Sequence, residues 1–115
     1  MPLDSTTFDL KLRAPIATRM REIFGKDGEG WCKFDRENLK GQRCLVGAWQ
    51  KATGASYAHI YDAAEAALRP AFQRAGMCPV GHDLADWNDA PERTFADISR
   101  VVDEIERMEL AGEVR

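Results

Sequence analysis

The sequence predicts an all-α domain, a compact bundle of four to five helices with two long loops, and three observations carry that prediction. Apolar residues recur at spacings of three and four in successive segments. Capping residues, glycines and prolines punctuate the ends of those segments. Regular apolar–polar alternation is missing, so the one short segment that would suit a buried strand has no evident partner. A chain of 115 residues fits one domain, residues 1–115, and is long enough to bury a core without disulfides or metal.

The first helical stripe covers residues 7–24, with Phe8, Leu12, Ile16, Met20, Ile23 and Phe24 on one face. Asp9 and Arg13 stand one turn apart. Pro15 interrupts the stripe, so either the segment kinks there or the helix proper starts near Arg13 with Pro15 in its first turn. Gly25 ends it. Residues 25–42 form a loop rich in glycine and charge, into which Trp31, Cys32 and Phe34 are set. An apolar triplet in a polar loop is expected to tuck back onto the core.

Residues 43–53 are read as a helix with Leu45, Ala48, Trp49 and Ala52 on one face and Gly54 as its C-terminal cap, although Cys44, Leu45 and Val46 would also suit a buried strand. Ser56 is the expected N-cap of the next helix, residues 57–75, with Ile60, Ala64, Ala67, Leu68, Ala71 and Phe72 inward. Glu65 and Arg69 are spaced to pair, Pro70 predicts a kink or break at Arg69, and Gly76 terminates the helix. Residues 77–93 read as the second loop. Thr94 and Asp97 then form a capping box for a last helix to residue 109, whose stripe is Phe95, Ile98, Val101, Val102, Ile105 and Met108. Asp103 and Arg107 are spaced to pair. This helix is expected antiparallel to the first, across Phe8, Leu12, Ile16, Phe95, Ile98, Val102 and Ile105.

Composition narrows the function classes. An apolar fraction of 44% with 30% charged residues describes a globular chain. No apolar run reaches the roughly 18 residues of a membrane helix, and the first residues show neither basic start nor apolar stretch, so a cytoplasmic protein is expected. Three cysteines, Cys32, Cys44 and Cys78, are an odd count and are expected as reduced thiols. The net charge of −3 is mild. Lys33, Arg36, Lys40, Arg43 and Lys51 make the middle basic, whereas Asp83, Asp86, Asp89, Glu92 and Asp97 face only Arg93, so one basic and one acidic surface are expected unless folding interleaves them. Without a dense basic stripe, nucleic-acid binding is not favoured.

Four constellations bear on chemistry. Cys44, at a helix start, would gain thiolate character from the helix dipole, with His59 or His82 as base and Asp83 or Asp86 orienting it. Cys32, Cys44, Cys78 and His82 have the makings of a zinc tetrahedron that would stabilise the domain, though no two cysteines lie two residues apart. Asp83, Asp86 and Asp89 with His82 would suit a harder metal, and equally suit caps and turns. Trp31, Trp49 and Trp87 are many tryptophans for this length, suited either to a core of short helices or to a docking surface. No catalytic or ligating set is complete, so the sequence assigns no catalytic residue, metal or cofactor.

The stretch Trp87-Asn-Asp-Ala-Pro-Glu-Arg-Thr94 reads as a loop leading into a helix, with Asn88 and Asp89 suited to Asx-turns and Pro91 fixing the backbone. Together with Arg43-Cys-Leu-Val-Gly-Ala48 and the apolar helix that follows, it resembles a group of small bacterial and phage proteins without an assigned activity. The resemblance implies a compact domain in which Cys44 packs beside the loop of residues 87–94, and a phage or mobile-element setting. The expected function is a non-enzymatic protein-interaction module, with inhibition of a host-defence complex as its narrower form and Trp31, Trp87, Asp83, Asp86, Asp89 and Arg93 as its binding residues. A small cysteine-dependent enzyme and a zinc-stabilised domain are the alternatives.

Overall fold

The computed structural model describes residues 15–56, 58–77 and 84–112. Among the described residues five helices follow one another: α1 (Ile16–Phe24), α2 (Leu45–Thr53), α3 (Ile60–Arg74), α4 (Leu84–Asp89) and α5 (Phe95–Leu110). Beyond them, the described residues hold a single parallel backbone pairing, Trp31 with Arg43. The all-α expectation is met.

Helix α2 is the axle. Leu45 through Gln50 and Ala52 are all buried, the pattern of a helix apolar all round rather than on one face. It packs against α1, α3 and α4, while α5 closes the bundle against α1 and α3. The segment is helix and not strand because Cys44 turns the chain into it: Cys44 is extended, and its sulfur accepts the Gly47 N–H at 3.4 Å as an N-cap would. Gly54, with φ 75°, ends the helix in the left-handed conformation expected of it.

Helices α1 and α5 lie antiparallel, as the stripes predicted. Phe24 at the end of α1 meets Phe95 at the start of α5 edge to face, their centroids 5.7 Å apart. At the other end Glu109 accepts the Ile16 and Ala17 N–H groups at 2.7 and 2.9 Å. Its carboxylate caps the positive end of α1 from across the bundle. Pro15 needs no cap of its own: with ψ 152° it precedes the helix and is not inside its first turn, while the stretch before it, on which a kink would depend, lies outside the described residues. Of the expected α1–α5 seam, Phe8 and Leu12 lie outside the described residues; Ile98, Val102 and Ile105 are buried, and Ile16 and Phe95 half-buried. The Asp9–Arg13 pair also lies outside them.

Several local expectations are corrected. Helix α3 starts at Ile60 with His59, in the left-handed region at φ 54°, at its N-cap position, so Ser56 does not cap it. Pro70 does not break it. Ala66 and Pro70 are both exposed, so the carbonyl that loses its partner faces water. Gly76 then terminates α3, helped by Arg100 of α5, which donates to the Ala75 carbonyl at 2.9 Å. The second loop contains α4, too short to show a helical period. Glu65 and Arg69 pair as expected. Asp103 instead pairs with Arg21 of α1, and Arg107 with Glu104. The Thr94–Asp97 capping box opens α5 as read.

Candidate functional site

The two segments singled out in the sequence meet at one buried side chain. Asn88, in the last turn of α4, is completely buried. Its Oδ1 accepts the Trp31 indole N–H at 2.8 Å and the Leu45 backbone N–H at 3.1 Å. Its Nδ2 donates to the Cys32 carbonyl at 3.1 Å and to Asp89 Oδ1 at 3.0 Å. One amide therefore ties together the first loop, the N-terminus of α2 and α4, across sequence separations of 43 to 57 residues. A buried amide with its donor and acceptor both used is fully satisfied.

Neighbouring contacts extend this clasp outward. Asp89 Oδ1 accepts the Phe34 N–H at 2.7 Å, and the Lys33 ammonium donates to the Ala90 carbonyl at 2.9 Å. Lys33 also lies over the Trp31 ring, 5.7 Å from its centroid. On the far side Trp87 packs edge to face on Phe72 at 4.7 Å, and the Arg93 guanidinium covers its other flank at 4.1 Å. Arg93 Nε donates to the Trp87 carbonyl at 2.7 Å and its Nη1 reaches Asp97 at 3.6 Å. The residues of the Trp87–Thr94 stretch thus hold one another and the opposite loop.

The loop also needs glycine. Its backbone crosses α2 at Gly47, where a Cβ would lie 2.1 Å from the Arg36 carbonyl oxygen. Beside that crossing Arg43, nearly buried, donates to the Gly47 carbonyl and pairs with Glu37 at 3.0 Å. The basic and acidic segments are consequently interleaved here rather than set on opposite surfaces, with Lys33 and Asp89 both spent between them.

The expected binding residues fall into two sets. Trp31, Trp87, Asp89 and Arg93 are brought together in the clasp, where Trp87 is buried and Trp31 half-buried. Asp86 sits exposed on α4, and Asp83 lies outside the described residues. Trp49 is buried in α2. The apolar triplet divides: Trp31 and Cys32 tuck in, but Phe34 does not. Phe34 is 77% exposed and holds φ at 75°, in the left-handed region that an aromatic L-residue rarely occupies. Leu39 is fully exposed on the same loop, and Tyr61 of α3 is exposed with the Arg36 guanidinium 5.7 Å from its ring centroid. Neither Phe34 nor Asn88 has a periodic signature; the only sequence hint was the density of Asx residues around Trp87.

Cys44 stands at the helix start that would favour a thiolate, yet burial pushes its thiol upward, against the Gly47 and Val46 N–H contacts that pull it down. The Cys32 thiol is pushed up too, first by burial and next by the neighbouring Cys44. His59 is exposed at the head of α3, while Cys78 and His82 lie outside the described residues. Among the described residues no three His, Cys, Asp or Glu side chains are grouped to hold a metal ion, and no helix is long and apolar enough to cross a membrane.

The fold and site define a small helical domain whose long loop is clasped by a buried amide and presents an aromatic ring outward. Residues 14–107 match the family of unknown function DUF6197, and the chain belongs to that family. No curated protein and no solved structure matches the chain.

Proposed function

We propose that the domain is a non-enzymatic protein-interaction module that docks through the outer part of its first loop. The observation that carries this reading is Phe34. Its backbone conformation costs about 1–2 kcal/mol for an L-residue, and the ring regains nothing from burial because it is 77% exposed. The Phe34 N–H, donated to Asp89, and the Lys33 ammonium, donated to the Ala90 carbonyl, hold the chain in place on its N-terminal side. Strain that is maintained by neighbours and spent on displaying an aromatic side chain suits a preorganised anchor for a partner's pocket. Leu39 and Tyr61 add apolar surface from the same loop and from the helix beside it. Trp31 and Trp87 belong to the clasp that holds this loop.

The test is partner capture from extracts of the source cells with three baits: the wild-type chain, Phe34→Asn, and Leu110→Asn. The Asn at position 34 keeps the left-handed backbone and removes the ring; Leu110 is an exposed apolar side chain at the far end of α5. A partner held by wild type and by Leu110→Asn, but depleted more than about tenfold by Phe34→Asn, supports the proposal. Equal retention by all three baits overturns it.

A narrower form of the proposal follows the resemblance to phage-borne proteins: the partner is a host-defence complex, inhibited through competition with nucleic acid by the acidic residues Asp83, Asp86, Asp89 and Glu92. Asp86 and Glu92 are exposed and are the positions to reverse in charge. Unchanged partner binding in that double variant removes the narrower form.

A further inference from the structure

The cysteines of the clasp form a pair whose proximity is fixed by backbone bonds. Trp31 and Arg43 pair in parallel: the Arg43 N–H donates to the Gly30 carbonyl at 2.8 Å, and the Cys32 N–H to the Arg43 carbonyl at 3.1 Å. The next residue on each side is a cysteine. On the other side of both, Asn88 joins the Cys32 carbonyl to the Leu45 N–H, each at 3.1 Å. Cys32 is therefore tied to the peptide before Cys44 directly and to the peptide after it through one amide group. Paired backbones run about 4.7–4.9 Å apart, which sets the spacing at Trp31 and Arg43, and each cysteine is one residue beyond that pair; a disulfide bridges Cα atoms about 4.4–6.8 Å apart. The electrostatic influence of Cys44 on the Cys32 thiol agrees with this closeness.

We propose that Cys32 and Cys44 are a dithiol that closes to an intramolecular disulfide when the protein meets a low-molecular-weight disulfide. Their surroundings set the order of events. Cys32 is half-buried on the loop, and its thiol makes only a weak contact with the Asp35 carbonyl at 3.4 Å. Its thiolate attacks one sulfur of the oxidant, forming a mixed disulfide and releasing one thiolate, which takes up a proton. Cys44, 4% exposed and shielded from the reagent, then loses its proton and attacks the Cys32 sulfur from within. That step breaks the mixed disulfide and releases the second small thiol. Two protein thiols are oxidised and one small disulfide is reduced to two thiols. The product closes the loop of residues 32–44, which carries Phe34, onto the start of α2 by a covalent bond.

The experiment equilibrates the full chain with reduced and oxidised glutathione at set ratios, traps free thiols by alkylation, and maps the peptides by mass spectrometry without reduction. The expected product is a peptide pair joined through Cys32 and Cys44, whose fraction follows the glutathione ratio and persists in Cys78→Ser. In Cys44→Ser, which keeps an acceptor at the N-cap, glutathione is expected to stay on Cys32. The oxidised wild type is expected to unfold at a higher temperature than the reduced form. A stable glutathione adduct on wild-type Cys32, a bond to Cys78 in place of Cys44, or two thiols still reduced at the most oxidising ratio overturns the proposal.

Discussion

The α1–α5 seam and the Asn88 clasp both join distant parts of the chain, but they do so by opposite means. The seam is long and apolar, with Phe24, Ile98, Val102 and Ile105 sharing the burial and charged pairs along its edge. Burial there works against the charge of Arg21, but hydrogen bonds and Coulomb attraction from Asp103 and Glu106 outweigh it and push its pKa up. The clasp is short and polar, and a single side chain answers for the Trp31 indole, the Leu45 amide and the Cys32 carbonyl. Apolar contacts are many and individually small, so they degrade by degrees. A buried hydrogen-bond hub is fully satisfied or it is a liability.

Graded substitutions at the two places separate these behaviours most sharply. Phe24→Ala is expected to cost about 3–5 kcal/mol, through lost transfer energy and a residual cavity. Phe24→Leu should recover most of that, because the neighbours can repack around a similar volume. Asn88→Ala is expected to cost about 3 kcal/mol, since it strands two buried donors and one acceptor. Here the near-isosteric Asn88→Asp should recover little: it cannot donate to the Cys32 carbonyl when ionised, and it buries a charge. Urea unfolding of the four variants checks this. A clasp in which Asp rescues Asn as well as Leu rescues Phe would not be a hub of this kind.

A smaller effect distinguishes the clasp by pH. Burial raises the Cys44 and Cys32 thiols in the folded chain. A raised folded-state pKa means that the thiols' contribution to stability is fully present below their unfolded value and is lost as pH rises through the folded one. Stability is therefore expected to decline above about pH 8.5, the ordinary thiol value. Under reducing conditions Cys44→Ser should flatten that decline, and Phe24→Leu should leave its shape unchanged. Thermal unfolding across the alkaline range checks this.

The same contrast explains what could be read from the sequence. Helices α1, α3 and α5, their order, the antiparallel seam, the capping box and the terminating glycines were legible because a helix that buries one side repeats that fact every three or four residues. Helix α4 has only six residues, too few to repeat anything. Pro70 misled because its cost depends on whether the orphaned carbonyl meets water, a property of the folded surface. The resemblance implied that Cys44 packs beside the loop of residues 87–94; Asn88 of that stretch bonds the N–H of Leu45, the residue after Cys44, yet nothing in the spacing marked Asn88 as a joining residue. Three of its four partners are two backbone groups and an indole more than 40 positions away. Phe34 misled in the opposite direction: apolar character argued for burial, whereas its backbone conformation turns it out.

Phe34 also supplies the smallest expected effect and the only one of opposite sign. Asparagine tolerates the left-handed region far better than phenylalanine, and an exposed ring has little burial to lose. Phe34→Asn should therefore stabilise the fold by about 0.5–1 kcal/mol, provided the N–H bond to Asp89 survives. A bulky residue kept at a position where a smaller one would be more stable carries a stability cost with no structural return. A gain in stability together with the loss of a partner would identify that cost as the expense of display. A loss of stability in Phe34→Asn, read from the same urea titration, would instead mean that the ring supports the loop, and would turn the outward face back into scaffold.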